Sequence, residues 1–95
     1  MIAGGTYIIK RGGKRQAELF QEDKLRRSVT ATCIGAGATP GQAEVIADRV
    51  VVDVVEWLKN RPEVTSKDIR RVASKSLDHY HGDAGYLYNQ QENIL

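Results

Sequence analysis

Seven of the fourteen lysines and arginines in this 95-residue chain fall between positions 10 and 27. They are Lys10, Arg11, Lys14, Arg15, Lys24, Arg26 and Arg27, set against Glu18, Glu22 and Asp23. A localised positive field of this kind attracts phosphates, whether on a nucleotide or on a nucleic-acid backbone. Lys24 falls where a helix is expected to begin, so backbone N–H groups and the helix dipole would favour the same anions. Glu18, between Ala17 and Leu19, is a carboxylate that could accept hydrogen bonds from a sugar hydroxyl. Other groupings carry less chemistry. The stretch GAGATPG from Gly35 to Gly41 lacks the lysine and the following serine or threonine of a phosphate loop, and no good strand precedes it. His79, His81 and Asp83 fall short of the convergent ligand set zinc requires, and histidines at a helix end are equally expected to favour its negative pole. Ser28, Ser66, Ser74 and Ser76 have no evident base and orienting acid. The expectation is a phosphate-binding protein that is not an enzyme and has no metal site.

These residues need elements to hold them. Thr6-Tyr7-Ile8-Ile9-Lys10 is β-branched and aromatic, and Gly12-Gly13 follows with a turn that accepts positive φ, so residues 6 to 20 predict a strand, a hairpin turn and a return strand from Lys14 to Phe20. A lone hairpin is marginal and must lie on something. From Asp23, Leu25, Val29, Cys33 and Ala36 recur at helical spacing up to the glycines at 35 and 37. Thr39-Pro40-Gly41-Gln42 combines a capping threonine, a first-turn proline and the glutamine of a capping box. The helix it opens carries Ala43, Ile46, Ala47, Val50, Val54, Trp57 and Leu58 on one face, despite the strand-favouring valines from Val50 to Val55. Thr65-Ser66-Lys67-Asp68 opens a third helix with Ile69, Val72, Ala73 and Leu77 as its buried stripe. Gly82 reads as its stop, and Asp83 as the cap of a short fourth helix bearing Ala84, Leu87 and Tyr88. The fold class expected is α+β, an N-terminal short antiparallel hairpin or sheet capping a three- to four-helix bundle.

Composition bounds the rest. With 41% apolar and 27% charged residues the chain has the make-up of one ordinary domain, and at this length it buries roughly 60–68% of its unfolded surface. No apolar run approaches the ~20 residues of a membrane span, and Met1 to Lys10 lacks the pattern of a secretion signal, so a cytoplasmic protein with no membrane partner is expected. The single Cys33 excludes an intrachain disulfide and paired-cysteine zinc sites, and is expected to be a small buried hydrophobe.

Five short motifs occur in order along the chain: Ile8-Ile9-Lys10-Arg11-x-Gly13; Glu18-Leu19-Phe20 with Lys24-Leu25-x-x-Ser28; Ala43 through Trp57-Leu58; Glu63-Val64-Thr65-Ser66-x-x-Ile69; and Tyr80-His81-x-Asp83-Ala84-x-Tyr86-Leu87-Tyr88. Together they resemble the ATP-cone domain over about residues 6 to 88. Such domains occur at the amino end of ribonucleotide reductase large subunits and in the zinc-ribbon repressor of ribonucleotide reductase genes. Here the whole span 1–95 would be one such domain without those attached parts.

The resemblance implies a nucleotide, ATP or dATP, alone or with Mg2+, held between the β cap and the helices as an allosteric signal. Lys10, Arg11 and Lys24 match phosphate-contacting positions, and Glu18 an acidic position near the sugar. Ile8, Leu25 and Ile69 match apolar positions around the base, and Gln21, Ser66 and Arg70 fall at further lining positions. The interval from Lys10 to Lys24 is longer than is usual in the family, and Gln21 replaces a better capping residue. With no reductase domain or zinc ribbon in the chain, the regulatory output is expected through homo-oligomerisation or a regulated partner protein. The alternative reading is a small nucleic-acid-binding protein using the basic patch 10–27; no helix-turn-helix or RNA-recognition aromatic motif supports it.

Overall fold

A computed structural model of the chain describes residues 5–9 and 17–91. Among these residues three short strands and four helices follow in the order β1 (Tyr7–Ile9), β2 (Ala17–Leu19), α1 (Glu22–Gly35), α2 (Pro40–Leu58), β3 (Glu63–Thr65), α3 (Ser66–Tyr80) and α4 (Gly82–Gln90). The class is α+β, a small sheet set on a helical bundle, as the change of periodicity at Phe20 implies. The Gly12-Gly13 turn lies outside the described residues.

The sheet has one strand more than the sequence pattern reveals. Its order is β2-β1-β3, with β1 antiparallel to β2 and parallel to β3. Ile8 is the central residue, opposite Glu18 on one side and Val64 on the other. Two further bonds dock β1 against the end of the α2–β3 connection: Tyr7 N–H donates to the Pro62 carbonyl at 2.9 Å, and the buried Thr6 hydroxyl donates to the Arg61 carbonyl at 3.0 Å. Glu63-Val64-Thr65 is too short to show alternation, and a parallel partner this distant leaves no local sign.

The helices begin where the capping signals fall. Thr39 Oγ1 accepts from Gln42 N–H at 3.2 Å while Gln42 Oε1 accepts from Thr39 N–H at 3.1 Å, and Pro40 occupies the first turn. Thr65 and Asp68 repeat the device at α3. The valine run is helical: Val50, Val51 and Val54 are buried, and this burial outweighs their strand preference, although Val52 remains 65% exposed. Gly37 ends the first helical segment with φ +103°, which glycine alone adopts without strain.

The start of α4 departs from expectation. Gly82 is its first residue rather than a stop, and its cap is His81, whose Nδ1 accepts from Ala84 N–H at 3.3 Å. Asp83 instead lies in the first turn, where a carboxylate favours the positive pole. The elbow is tight because Gly85 faces α3 directly: a Cβ there would lie 2.6 Å from Asp78 Cα.

The core joins all the layers. Leu25, Val29 and Cys33 from α1, Ala43, Ala47, Val50 and Val54 from α2, Ile69, Ala73 and Leu77 from α3, and Ala84 and Tyr88 from α4 have no exposed surface. Ile8, Phe20 and Val64 close it from the sheet. Leu87, expected in the buried stripe of α4, is 39% exposed because the helix turns its Ala84–Tyr88 face inward. Among the described residues no helix is long and apolar enough to cross a membrane.

Candidate functional site

Partners directly opposite one another in a sheet project to the same side. Ile8 and Val64 are buried against the helices, so Glu18, in register with Ile8, stands on that inner side at the edge strand. There it meets Lys24 from the first turn of α1, with Nζ 3.5 Å from Glu18 Oε1, and both side chains are about half exposed. An acid from the cap and a base from the bundle thus share one edge of the molecule, in contact with solvent. Gln21 caps α1 in an extended conformation and makes no side-chain capping bond, leaving the acidic Glu22 and Asp23 to favour the helix pole.

The start of α3 carries the remaining candidates. Ser66 is its first residue and is half-buried; Ile69 is completely buried; Arg70 is half-buried. Asp68, on the same turn, is held below the usual carboxylate range by the backbone N–H of Thr65, with the Thr65 hydroxyl and Arg71 adding to the effect and slight burial opposing it. The structure therefore brings Ile8, Glu18, Lys24 and Leu25 together at the sheet–α1 junction and sets Ser66, Ile69 and Arg70 at the head of α3, which follows β3 directly. Lys10 and Arg11 lie outside the described residues.

Ile8, Leu25 and Ile69 are 5%, 0% and 0% exposed. All three belong to the buried core, so that any ligand could touch them only with the sheet lifted from the helices. The Ser28 hydroxyl is engaged by the Leu25 carbonyl and the Tyr88 hydroxyl, both at 2.9 Å. Burial pushes the Cys33 thiol up, away from the thiolate. Among the described residues no three His, Cys, Asp or Glu side chains gather to hold a metal ion. His79 packs edge-on to Tyr80, with ring centres 5.0 Å apart, and His81 is spent on the cap of α4.

The Ser28–Tyr88 contact was not legible in the sequence: helical spacing marks Tyr88 as buried but gives no clue that its hydroxyl reaches a residue sixty positions away. Compared with known proteins, residues 6–88 match the family model of the ATP cone domain. No curated protein and no solved structure matches the chain.

Proposed function

Because the chain belongs to the ATP-cone family, whose members are nucleotide-binding allosteric regulatory domains, we propose that it binds ATP or dATP at the junction of sheet, α1 and α3 and serves as a non-catalytic regulatory unit. The observation that carries the site is the placement of Glu18 and Lys24, a carboxylate on the inner edge of the sheet 3.5 Å from an ammonium in the first turn of a helix. In this reading Lys24, joined by Lys10 and Arg11, takes the phosphates, with the positive pole of α1 in support. Glu18 accepts from the sugar hydroxyls and is the residue by which ribose and deoxyribose would differ. Gln21, Ser66 and Arg70 line the remainder, and Ile8, Leu25 and Ile69 form the apolar floor under the base. Mg2+, where it accompanies the nucleotide, would be held by phosphate oxygens.

The Glu18–Lys24 pair also sets a competition. Before ligand arrives, the carboxylate partly neutralises the ammonium; an incoming polyphosphate must outbid it, which several negative charges can do where one cannot. The output is self-association or contact with a regulated protein.

Calorimetric titration with ATP, dATP and GTP, with mass in solution followed in parallel, tests the reading. Lys24→Ala and Lys10→Ala should each weaken ATP binding about tenfold to a hundredfold, the worth of one charge-assisted contact, with thermal stability of the ligand-free protein nearly unchanged. Undiminished affinity in both variants would move the site elsewhere. Binding of oligonucleotides in place of mononucleotides would favour the basic patch as a nucleic-acid surface, and sustained phosphate release by repurified protein would defeat the non-catalytic assignment.

A further inference from the structure

The four helices pack as a ring: α1 rests chiefly on α2 and α4, and α3 on the same two neighbours. Lys24 thus sits on a helix that reaches α3 chiefly through its neighbours α2 and α4. One side chain ties α1 to α4. Tyr88 of α4 is completely buried, with its hydroxyl 2.9 Å from Ser28 Oγ on α1. Ser28 stands one helical turn beyond Lys24 on the same face of α1, so the two move as one.

The seam that Tyr88 fastens is bordered by a groove. An open groove of about 210 Å³ runs between α1 and α4, lined by Ser28, Ala31, Thr32, Gly35, Leu87 and Gln91. Small residues on the α1 side leave α4 room to shift without opening the core, whereas on its other side Gly85 holds it hard against Asp78. Held close to α3 at Gly85 and bordered by the groove on α1, α4 is placed to change its seating when α1 shifts.

We propose that the Ser28–Tyr88 hydrogen bond couples nucleotide occupancy to the seating of α4 on α1, with Tyr88 as the positioning residue. The inference rests on the nucleotide reading above. A polyphosphate that draws Lys24 away from Glu18 shifts α1, and Ser28 with it, and the Tyr88 hydroxyl carries that shift into α4. The ligand acts through its different affinity for the two seatings.

The test is amide hydrogen exchange on the full chain with and without saturating ATP, for the wild type, Tyr88→Phe and Ser28→Ala, with ATP affinity measured by calorimetry for each. In the wild type, ATP should slow exchange of the α4 amides about fivefold or more, the lower end of ordinary coupling between sites. In both variants that ratio should fall below about twofold while ATP affinity stays within about tenfold of wild type. A merely structural role for Tyr88 would speed α4 exchange equally in the presence and absence of ATP and leave the ratio intact, which would overturn the proposal. Wild-type protein that binds ATP with no change in α4 would overturn it too while leaving the nucleotide site standing; no calorimetric binding of adenine nucleotide would sink the site itself, and the coupling with it.

Discussion

Tyr88→Phe removes a single oxygen from a side chain with no exposed surface, and the structure sets both the size and the pH dependence of the loss. The Tyr88 and Ser28 hydroxyls share one hydrogen bond, and Ser28 also reaches the Leu25 carbonyl. At neutral pH the variant forfeits one intramolecular hydrogen bond, about 1 kcal/mol. Burial pushes the Tyr88 phenol from 10.0 up to about 12, with the Ser28 hydrogen bond and the Arg70 charge pulling weakly the other way. A group whose folded-state value is raised contributes stability that is complete below its unfolded value and disappears as the pH climbs through the folded one. Unfolded phenol ionises from about pH 10, so the wild type stands to lose about 2.7 kcal/mol in all, and about 1.4 kcal/mol of this by about pH 11. The phenylalanine variant has no such phenol to ionise. Denaturant unfolding of the two proteins across the alkaline range should show a wild-type advantage of about 1 kcal/mol near neutrality that is gone by about pH 11. A difference that stays constant to that pH would refute the reasoning, because it would mean that the hydroxyl is reached by water in the folded protein.

Three further outcomes follow from local geometry. Gly85→Ala drives a methyl group into the Asp78 backbone, where there is 2.6 Å of room, and should lower stability by about 1–3 kcal/mol in chemical denaturation. Asp68 is held below the usual carboxylate range, so the stability it contributes is present above that range and is lost as the pH falls through its depressed value; Asp68→Asn should flatten this part of the acid unfolding profile relative to wild type. His81→Ala removes the acceptor at the head of α4 and should cost about 1 kcal/mol in thermal or denaturant unfolding while leaving ATP affinity unchanged by calorimetry.

The helices were legible because their signals are local. Thr39-Pro40-Gly41-Gln42 marks one start and Thr65 to Asp68 another, and the stripes built on Leu25, Ala43 and Ile69 name the inward faces. The strand at Glu63–Thr65 was hidden, since it exists only through pairing with Tyr7–Ile9 across two helices. The cap at His81 escaped for a different reason: an imidazole accepts at a helix start only in its neutral form, so it is not among the residue types that announce one. At the candidate site, charge type pointed to Lys24 and Glu18, yet their direct contact depends on the Ile8–Glu18 register, which a three-residue strand does not specify by pattern. The resemblance of ordered motifs supplied the adenine assignment, which no physical pattern in the residues contains.

The parallel pairing of β1 with β3 also bears on the order of assembly. The antiparallel β1–β2 pair needs only a short loop, but the partner on the other side joins after α1 and α2 have been laid down, and closing so long a loop costs entropy before any strand bond repays it. The helical ring should therefore form early and the sheet late, and on partial unfolding the sheet should open first. A ligand beneath that sheet would leave at the rate of this local opening, independent of global unfolding. Thr6→Val, which deletes the hydroxyl bonded to the Arg61 carbonyl, should then shorten the lifetime of the nucleotide complex in stopped-flow dissociation, whereas Gly85→Ala, at the far elbow, should lower global stability and leave that lifetime unchanged.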